Sequence, residues 1–172
     1  MSIFLAASAL LLLLVITVQN ILYPPLREET ISDGLYGPYH WFLDGAYVIL
    51  ATALAYTFYG TGWSEVLAIT AGASLMVTAV TNTFSTWVDK MIHGLHAKLH
   101  TYFTGIMFLS MLGLQAVQNH GWLWWISAAG LALPAIVAAF FTGFKKLGIL
   151  PGPAAEKAAV FMLCTWLILH SL

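Results

Sequence analysis

Charged residues are scarce in this sequence. Only 8% of its 172 residues are Asp, Glu, Lys or Arg, against about 25% in an average soluble domain. A soluble fold needs charged side chains to solvate its surface, so the composition excludes an ordinary soluble protein. The formal net charge of −1 argues against a nucleic-acid partner, which requires a concentrated basic face. The single cysteine, Cys164, cannot form a disulfide within the chain.

Apolar residues make up 60% of the chain instead. They recur in runs close to the roughly 20 residues that an α-helix needs to cross a bilayer. The sequence therefore predicts an all-α, single-domain polytopic membrane protein, built as a bundle of six transmembrane helices. The predicted spans are residues 3–22, 38–59, 64–80, 99–117, 122–142 and 153–171.

Glycine spacing indicates two local features. Gly60-Thr61-Gly62 predicts a tight turn between the second and third spans. Ala68 and Gly72, in the third span, are spaced for the close approach of another helix.

The basic residues are distributed asymmetrically about the six spans. All of them fall on the side of the odd-numbered loops: Arg27, Lys90, Lys98, Lys145, Lys146 and Lys157. The positive-inside rule then places that side in the cytoplasm and both termini on the non-cytoplasmic side of the plasma (inner) membrane. Interfacial tryptophans are expected at both faces, with Trp63, Trp122, Trp124 and Trp125 outside and Trp41 and Trp87 inside.

Three of the six histidines lie in one polar stretch, residues 89–100. If this stretch is helical, His93, His96 and His100 share about 60° of arc on one face. His40 and Asp44 are four residues apart at the same predicted membrane face. An ionisable group such as Asp44 within a span is costly and is therefore a functional candidate.

Imidazoles and carboxylates at one face are typical ligands of zinc and similar divalent metals. The predicted metal ligands are His40, His93, His96 and His100, and Asp44 is the candidate catalytic residue, orienting a ligand or water. Three ligands and one open position would generate a metal-bound hydroxide. A haem held by His40 and His100 has less support. The structural alternative is a solvated turn that lies on the membrane surface with Lys90 and Lys98.

Three short motifs carry a family resemblance. They are Tyr23-Pro24-Pro25-Leu26-Arg27-Glu28-Glu29-Thr30-Ile31-Ser32-Asp33 followed by Gly37-Pro38-Tyr39, then His93-Gly94-Leu95-His96, and then Glu156-Lys157. With them the chain resembles the prokaryotic membrane proteins of domain-of-unknown-function family 998. The resemblance implies the six-helix layout and no established activity.

Two functions follow as hypotheses. The first is an integral membrane protein that binds a lipid or a partner subunit, because basic residues at one membrane face attract anionic headgroups. The alternative is a metal-dependent intramembrane hydrolase that acts on a lipid or an amide.

Overall fold

The computed structural model describes residues 2–22, 40–118, 125 and 151–171, and within them the chain is helical without a strand. The all-α prediction is confirmed. The helices are α1 (Ile3–Leu22), α2 (His40–Thr57), α3 (Trp63–Thr83), α4 (Ser85–Met91), α5 (Leu95–Gln118) and α6 (Pro151–Ser171). Except for Trp125, the predicted span 122–142 lies outside the described residues, as do the motif at residues 23–39 and the lysines at 145 and 146.

Hydroxyl side chains inside these apolar helices bond to their own backbone. Ser8 donates to the carbonyl oxygen of Phe4 across 2.7 Å, and Thr78 donates to that of Ser74 across 2.9 Å. Each bond reaches back one turn, the usual partner of a helical Ser or Thr that has no water to bond.

Contacts at their ends set the directions of α1, α2 and α6. The rings of Phe4, at the start of α1, and Tyr56, at the end of α2, have centroids 6.4 Å apart. Lys157, near the start of α6, donates from Nζ to Oδ1 of Asn20, near the end of α1, across 3.5 Å. Helix α1 is therefore antiparallel to both α2 and α6, and α2 and α6 end at the same end of the molecule.

Helices α3 and α5 also run in opposite directions. Gly60 and Gly62 turn the chain between α2 and α3 with φ angles of 74° and 67°, as the sequence predicts, because glycine adopts positive φ without a steric cost. Gln118, which ends α5, donates from Nε2 to Oγ of Ser64 at the start of α3 across 2.6 Å. We call the end of the molecule with Gly60 and Gly62 the turn end, and the end with Lys98 and Lys157 the lysine end.

Small residues bring α2 and α3 together, as the Ala68–Gly72 spacing predicts. A Cβ atom added at Gly72 would lie only 3.0 Å from the carbonyl oxygen of Ala51 in α2. Ala51 and Ala68 are themselves buried. The absence of a side chain at Gly72 is therefore what lets these two backbones approach.

A small apolar cavity of about 30 Å³ lies where α1, α2, α3, α5 and α6 meet. Its wall includes Leu12, Leu54, Leu75, Met111, Leu163 and Leu167. These cavity-lining residues belong to or pack against the buried hydrophobic core, which therefore lies between the five long helices.

The outside of the bundle is apolar as well. Large apolar side chains are exposed on all five long helices, among them Leu14, Val48, Ile69, Leu109 and Phe161. Within the described residues, two helical segments, Ile3–Leu22 and Trp63–Thr81, are long and apolar enough to cross a membrane. Large exposed apolar patches are rare on soluble monomers, and these exposed side chains together with the two long apolar segments support membrane association.

The region between the third and fourth predicted spans is more helical than expected. Helix α3 continues to Thr83, α4 occupies Ser85–Met91, and α5 begins at Leu95 rather than at residue 99. This region contains many polar residues, so a search for long apolar runs does not detect its helices.

Candidate functional site

The histidine stretch is not one continuous helix. Helix α4 ends at Met91, Ile92 is extended, and Gly94 has a φ of 71° before α5 begins at Leu95. His93 lies exposed in this turn, and only His96 and His100 share a face of α5. The shared face proposed for three histidines required a helix across Gly94, and that part of the prediction is wrong.

Asp89 joins α4 to the first turn of α5. Its Oδ2 lies 2.5 Å from Nδ1 of His96, and its Oδ1 accepts a hydrogen bond from the backbone N–H of His96 across 3.4 Å. A carboxylate at this position is favoured because the first turn of a helix has unsatisfied N–H groups and a partial positive charge. The Asp89 carboxylate therefore links the two helices across the turn that contains Gly94.

This contact changes the acidity of Asp89. The hydrogen bond from the His96 side chain is the main reason that the pKa of the Asp89 carboxyl lies below its usual value, and the backbone N–H of His96 and the nearby His93 act in the same direction. Partial desolvation opposes them. A lowered pKa keeps the carboxylate ionised and available as a hydrogen-bond acceptor.

The predicted metal ligands do not come together. Within the described residues there is no group of three or more His, Cys, Asp or Glu side chains that could hold a metal ion, and the four predicted ligands all lie in that part of the chain. His96 is engaged by Asp89, His93 lies in the exposed turn, and the His40 ring contacts the ring of Trp41 at a centroid distance of 4.4 Å. The histidines do not fit a metal centre in this arrangement. A haem between His40 and His100 stays a prediction.

Asp44 lies one turn inside α2, on the same face as His40, because the two residues are four positions apart in this helix. Its side chain is partly buried, and Leu43 and Tyr47 beside it are buried. The placement of the His40–Asp44 pair agrees with the sequence, and the catalytic role of Asp44 stays a prediction.

The structure adds a polar pair that sequence reasoning missed. Lys157 is partly buried at the lysine end of the seam between α1 and α6, where it donates to Asn20. The Nδ2 group of Asn20 donates to the carbonyl oxygen of Ile16 across 2.7 Å, which turns Oδ1 toward Lys157. Both residues are visible as polar positions near the ends of apolar runs, but only the pairing of α1 with α6 reveals that they meet.

The fold and this geometry define an all-helical bundle with segments able to cross a membrane and with polar side chains gathered at its lysine end. No family model matches the chain, and neither the curated proteins nor the solved structures compared with it give a significant match. The resemblance to domain-of-unknown-function family 998 therefore stays a prediction.

Proposed function

We propose that this chain is an integral membrane protein that binds an anionic lipid headgroup at Lys157, in the seam between α1 and α6. The lengths of the helices support the membrane part of the proposal. The shortest of the five long helices has 18 residues and the longest has 24, which correspond to about 27 and 36 Å. The hydrocarbon core of a bilayer is about 30 Å thick.

The proposed topology has six spans, with residues 122–142 as the fifth. The lysine end faces the cytoplasm of a plasma (inner) membrane, and both termini lie on the other side. Two observations support it. The basic side chains among the described residues, Lys90, Lys98 and Lys157, belong to the lysine end. Trp41 and Trp63, which are 66% and 75% exposed, lie at opposite ends of the bundle, where interfacial tryptophans are expected.

The position of Lys157 is the observation that carries lipid binding. Its ammonium group lies at the end of two apolar helices, 3.5 Å from an oxygen of Asn20. Phe161, one turn further along α6, is exposed on the same side of the helix. A headgroup phosphate would accept a charge-assisted hydrogen bond from Lys157, and its acyl chain would lie along the exposed surface around Phe161.

The test uses Lys157→Met, which keeps an unbranched apolar side chain and removes the charge. Wild type and variant are placed in nanodiscs of mixed phosphatidylglycerol and phosphatidylcholine, and bound lipids are counted by native mass spectrometry after mild release. The loss of one charge-assisted hydrogen bond, about 1.5 kcal/mol or more, should lower retention of phosphatidylglycerol about tenfold.

Lys98→Met is the matched control, because Lys98 is exposed on α5 at the same end. It should leave phosphatidylglycerol retention unchanged. Equal retention by wild type and Lys157→Met would refute the proposed site. So would an equal loss in the Lys98 variant, because general surface charge would then explain the binding.

The alternative, a metal-dependent hydrolase of a lipid or amide, needs three ligands around one ion. The described residues offer no such group, so the arrangement favours lipid binding over hydrolysis.

A further inference from the structure

The short helix α4 presents an apolar face to the outside of the molecule. Phe84, which directly precedes α4, is followed by Val88 and Met91 at intervals of four and three residues. This spacing places the three side chains within roughly 60° of arc on one face of a helix. Phe84 and Met91 are 54% and 60% exposed, and Ile92, the next residue, is 57% exposed. We call Phe84, Val88, Met91 and Ile92 the corner surface.

The polar side of α4 contacts the protein instead. Asp89 lies roughly 130° around the helix from the apolar face, and its carboxylate bonds to His96 of α5. A surface helix of a soluble protein normally packs its apolar stripe against the core and turns its charged residues to water. Helix α4 has the reverse arrangement. An apolar environment outside the molecule would explain it.

The corner surface continues the exposed apolar surface of α3. Met76 and Val80 are exposed, and Val80 and Phe84 follow at successive intervals of four residues, which is the same face of a helix. Helical hydrogen bonds run through the junction. The N–H of Phe84 donates to the carbonyl oxygen of Val80 across 3.0 Å, and the N–H of Val88 donates to that of Phe84 across 2.9 Å. The corner surface therefore extends a surface of α3 that faces lipid in the membrane arrangement proposed above.

The length of α3 sets the depth at which the corner surface begins. The 21 residues of α3 start at Trp63 and rise about 30 Å, which equals the thickness of the hydrocarbon core of a bilayer. With the exposed Trp63 at one interface, Phe84 reaches the opposite edge of the hydrocarbon. Helix α4 then lies at the level of the headgroups.

The charges near the corner surface match those of anionic headgroups. Lys90 and Lys98 are exposed, and Asp89 is the only acidic residue between positions 84 and 100. Anionic lipids attract such basic residues next to a membrane span, and a lysine can reach a phosphate while its neighbours stay in an apolar layer. A second copy of the chain would present the same positive charge, which disfavours it as the partner.

We propose that the corner surface inserts at the boundary between the acyl chains and the headgroups of the leaflet at the lysine end, as an interfacial amphipathic helix does. Lys90 and Lys98 would contact the phosphates of that leaflet. The contact is with the leaflet as a surface and retains no single lipid, so it is distinct from the site at Lys157. The proposal rests on the proposed membrane integration of the chain and not on lipid binding at Lys157.

The experiment places single nitroxide labels on the full chain in nanodiscs of phosphatidylglycerol and phosphatidylcholine. The buried Cys164 is first replaced by alanine. Met91→Cys labels the corner surface, and His93→Cys labels the exposed turn two residues further on. Electron paramagnetic resonance then measures collisions of each label with oxygen, which concentrates in hydrocarbon, and with a nickel chelate, which stays in water. The label at position 91 should collide with nickel several-fold less, and with oxygen more, than the label at position 93.

Two further labels make the result interpretable. Ile92→Cys is a second reporter of the corner surface, in case the Met91 variant fails to fold, and should behave like position 91. Ile69→Cys, at an exposed position within α3, reports the membrane span itself and should collide with oxygen and hardly at all with nickel.

The possible results separate the proposal from its alternatives. Equal nickel collisions at positions 91 and 93 would place the corner surface in water and overturn the proposal. Few collisions with either reagent at position 91 would show that protein covers it, a second copy or another partner, which also overturns the proposal. Frequent nickel collisions at position 69 would refute the membrane integration on which the proposal rests. Oxygen-dominated collisions at position 69 with water-like behaviour at 91 and 92 would refute the corner surface alone.

Discussion

A single carboxylate organises the corner between α4 and α5. Asp89 bonds both the side chain and the backbone N–H of His96, while Gly94 supplies the positive φ that reverses the chain. The interaction is partly exposed to solvent, with 32% of the Asp89 side chain accessible. The interaction should therefore stabilise the turn between α4 and α5 and contribute little to the stability of the whole fold.

Asp89→Asn should loosen this corner in a pH-dependent manner. Because the pKa of Asp89 is lowered in the folded chain, its stabilising effect is fully present above the unfolded value of about 3.9 and is lost as pH falls through the lower folded value. At neutral pH the variant should exchange the backbone amides of residues 93–96 faster than wild type. The difference should vanish at strongly acidic pH.

Hydrogen exchange with mass spectrometry, read as the ratio of variant to wild-type rates at each pH, measures this effect. Glu65→Gln is the control, because it changes a carboxylate to an amide at the turn end, away from the corner. A ratio that stays constant from neutral to strongly acidic pH would show that the charge of Asp89 does not hold the corner.

The sequence predicts single residues well where one helix decides their geometry. His40 and Asp44 share a face of α2 because a helix starts at His40. Asp89 and His96 come into contact only because Gly94 lies in a break between two helices. From the sequence alone, Gly94 is compatible both with a continuous helix and with a break. Gln115 looks like any polar residue near a helix end. Its complete burial depends on how the helices pack, which no local pattern contains.

At the scale of whole helices, glycines decide how closely neighbours approach. Gly72→Ala should destabilise the α2–α3 contact by about 1–3 kcal/mol, because the new Cβ would lie 3.0 Å from the backbone oxygen of Ala51. Gly113→Ala should cost less, because its Cβ would meet the flexible side chain of Leu67 at 3.2 Å. The measurement is the unfolding midpoint in detergent.

Gly105 provides the control for this series. A Cβ there meets nothing within 4 Å, and alanine has a helix propensity better than glycine by about 1 kcal/mol. Gly105→Ala should therefore leave the midpoint unchanged or raise it. If the Gly72 and Gly113 variants lost the same stability, backbone approach would not be what distinguishes the two sites.

Sequence reasoning located the long described helices closely and missed the short one. A helix is observed at Ile3–Leu22, where the first span is predicted at 3–22, and another at His40–Thr57, where the second is predicted at 38–59. Long apolar runs delimit such helices clearly. Helix α4 has only seven residues and contains Asp89 and Lys90, so it is too short and too polar to produce an apolar signal.

At the scale of the whole molecule, the alternating helices place two chemically different surfaces at opposite ends. The lysine end has the hydrogen-bonded pair of Asp89 and His96 and the cation of Lys157, whereas the described residues of the turn end include no lysine or arginine. In the topology that we propose, the positive-inside rule places the lysine end on the cytoplasmic side of the membrane.

Single cysteines introduced at the two ends test this orientation. The native Cys164 is buried and is first replaced by alanine. Thr61→Cys then places a thiol in the exposed turn between α2 and α3, and His93→Cys places one in the exposed turn between α4 and α5. In intact cells, a membrane-impermeant maleimide should label position 61 at once, and position 93 only after the membrane is permeabilised. The reverse pattern would invert the topology. Labelling of both positions in intact cells would mean that the bundle does not cross the membrane, and the exposed apolar surface would then have to be covered by other protein.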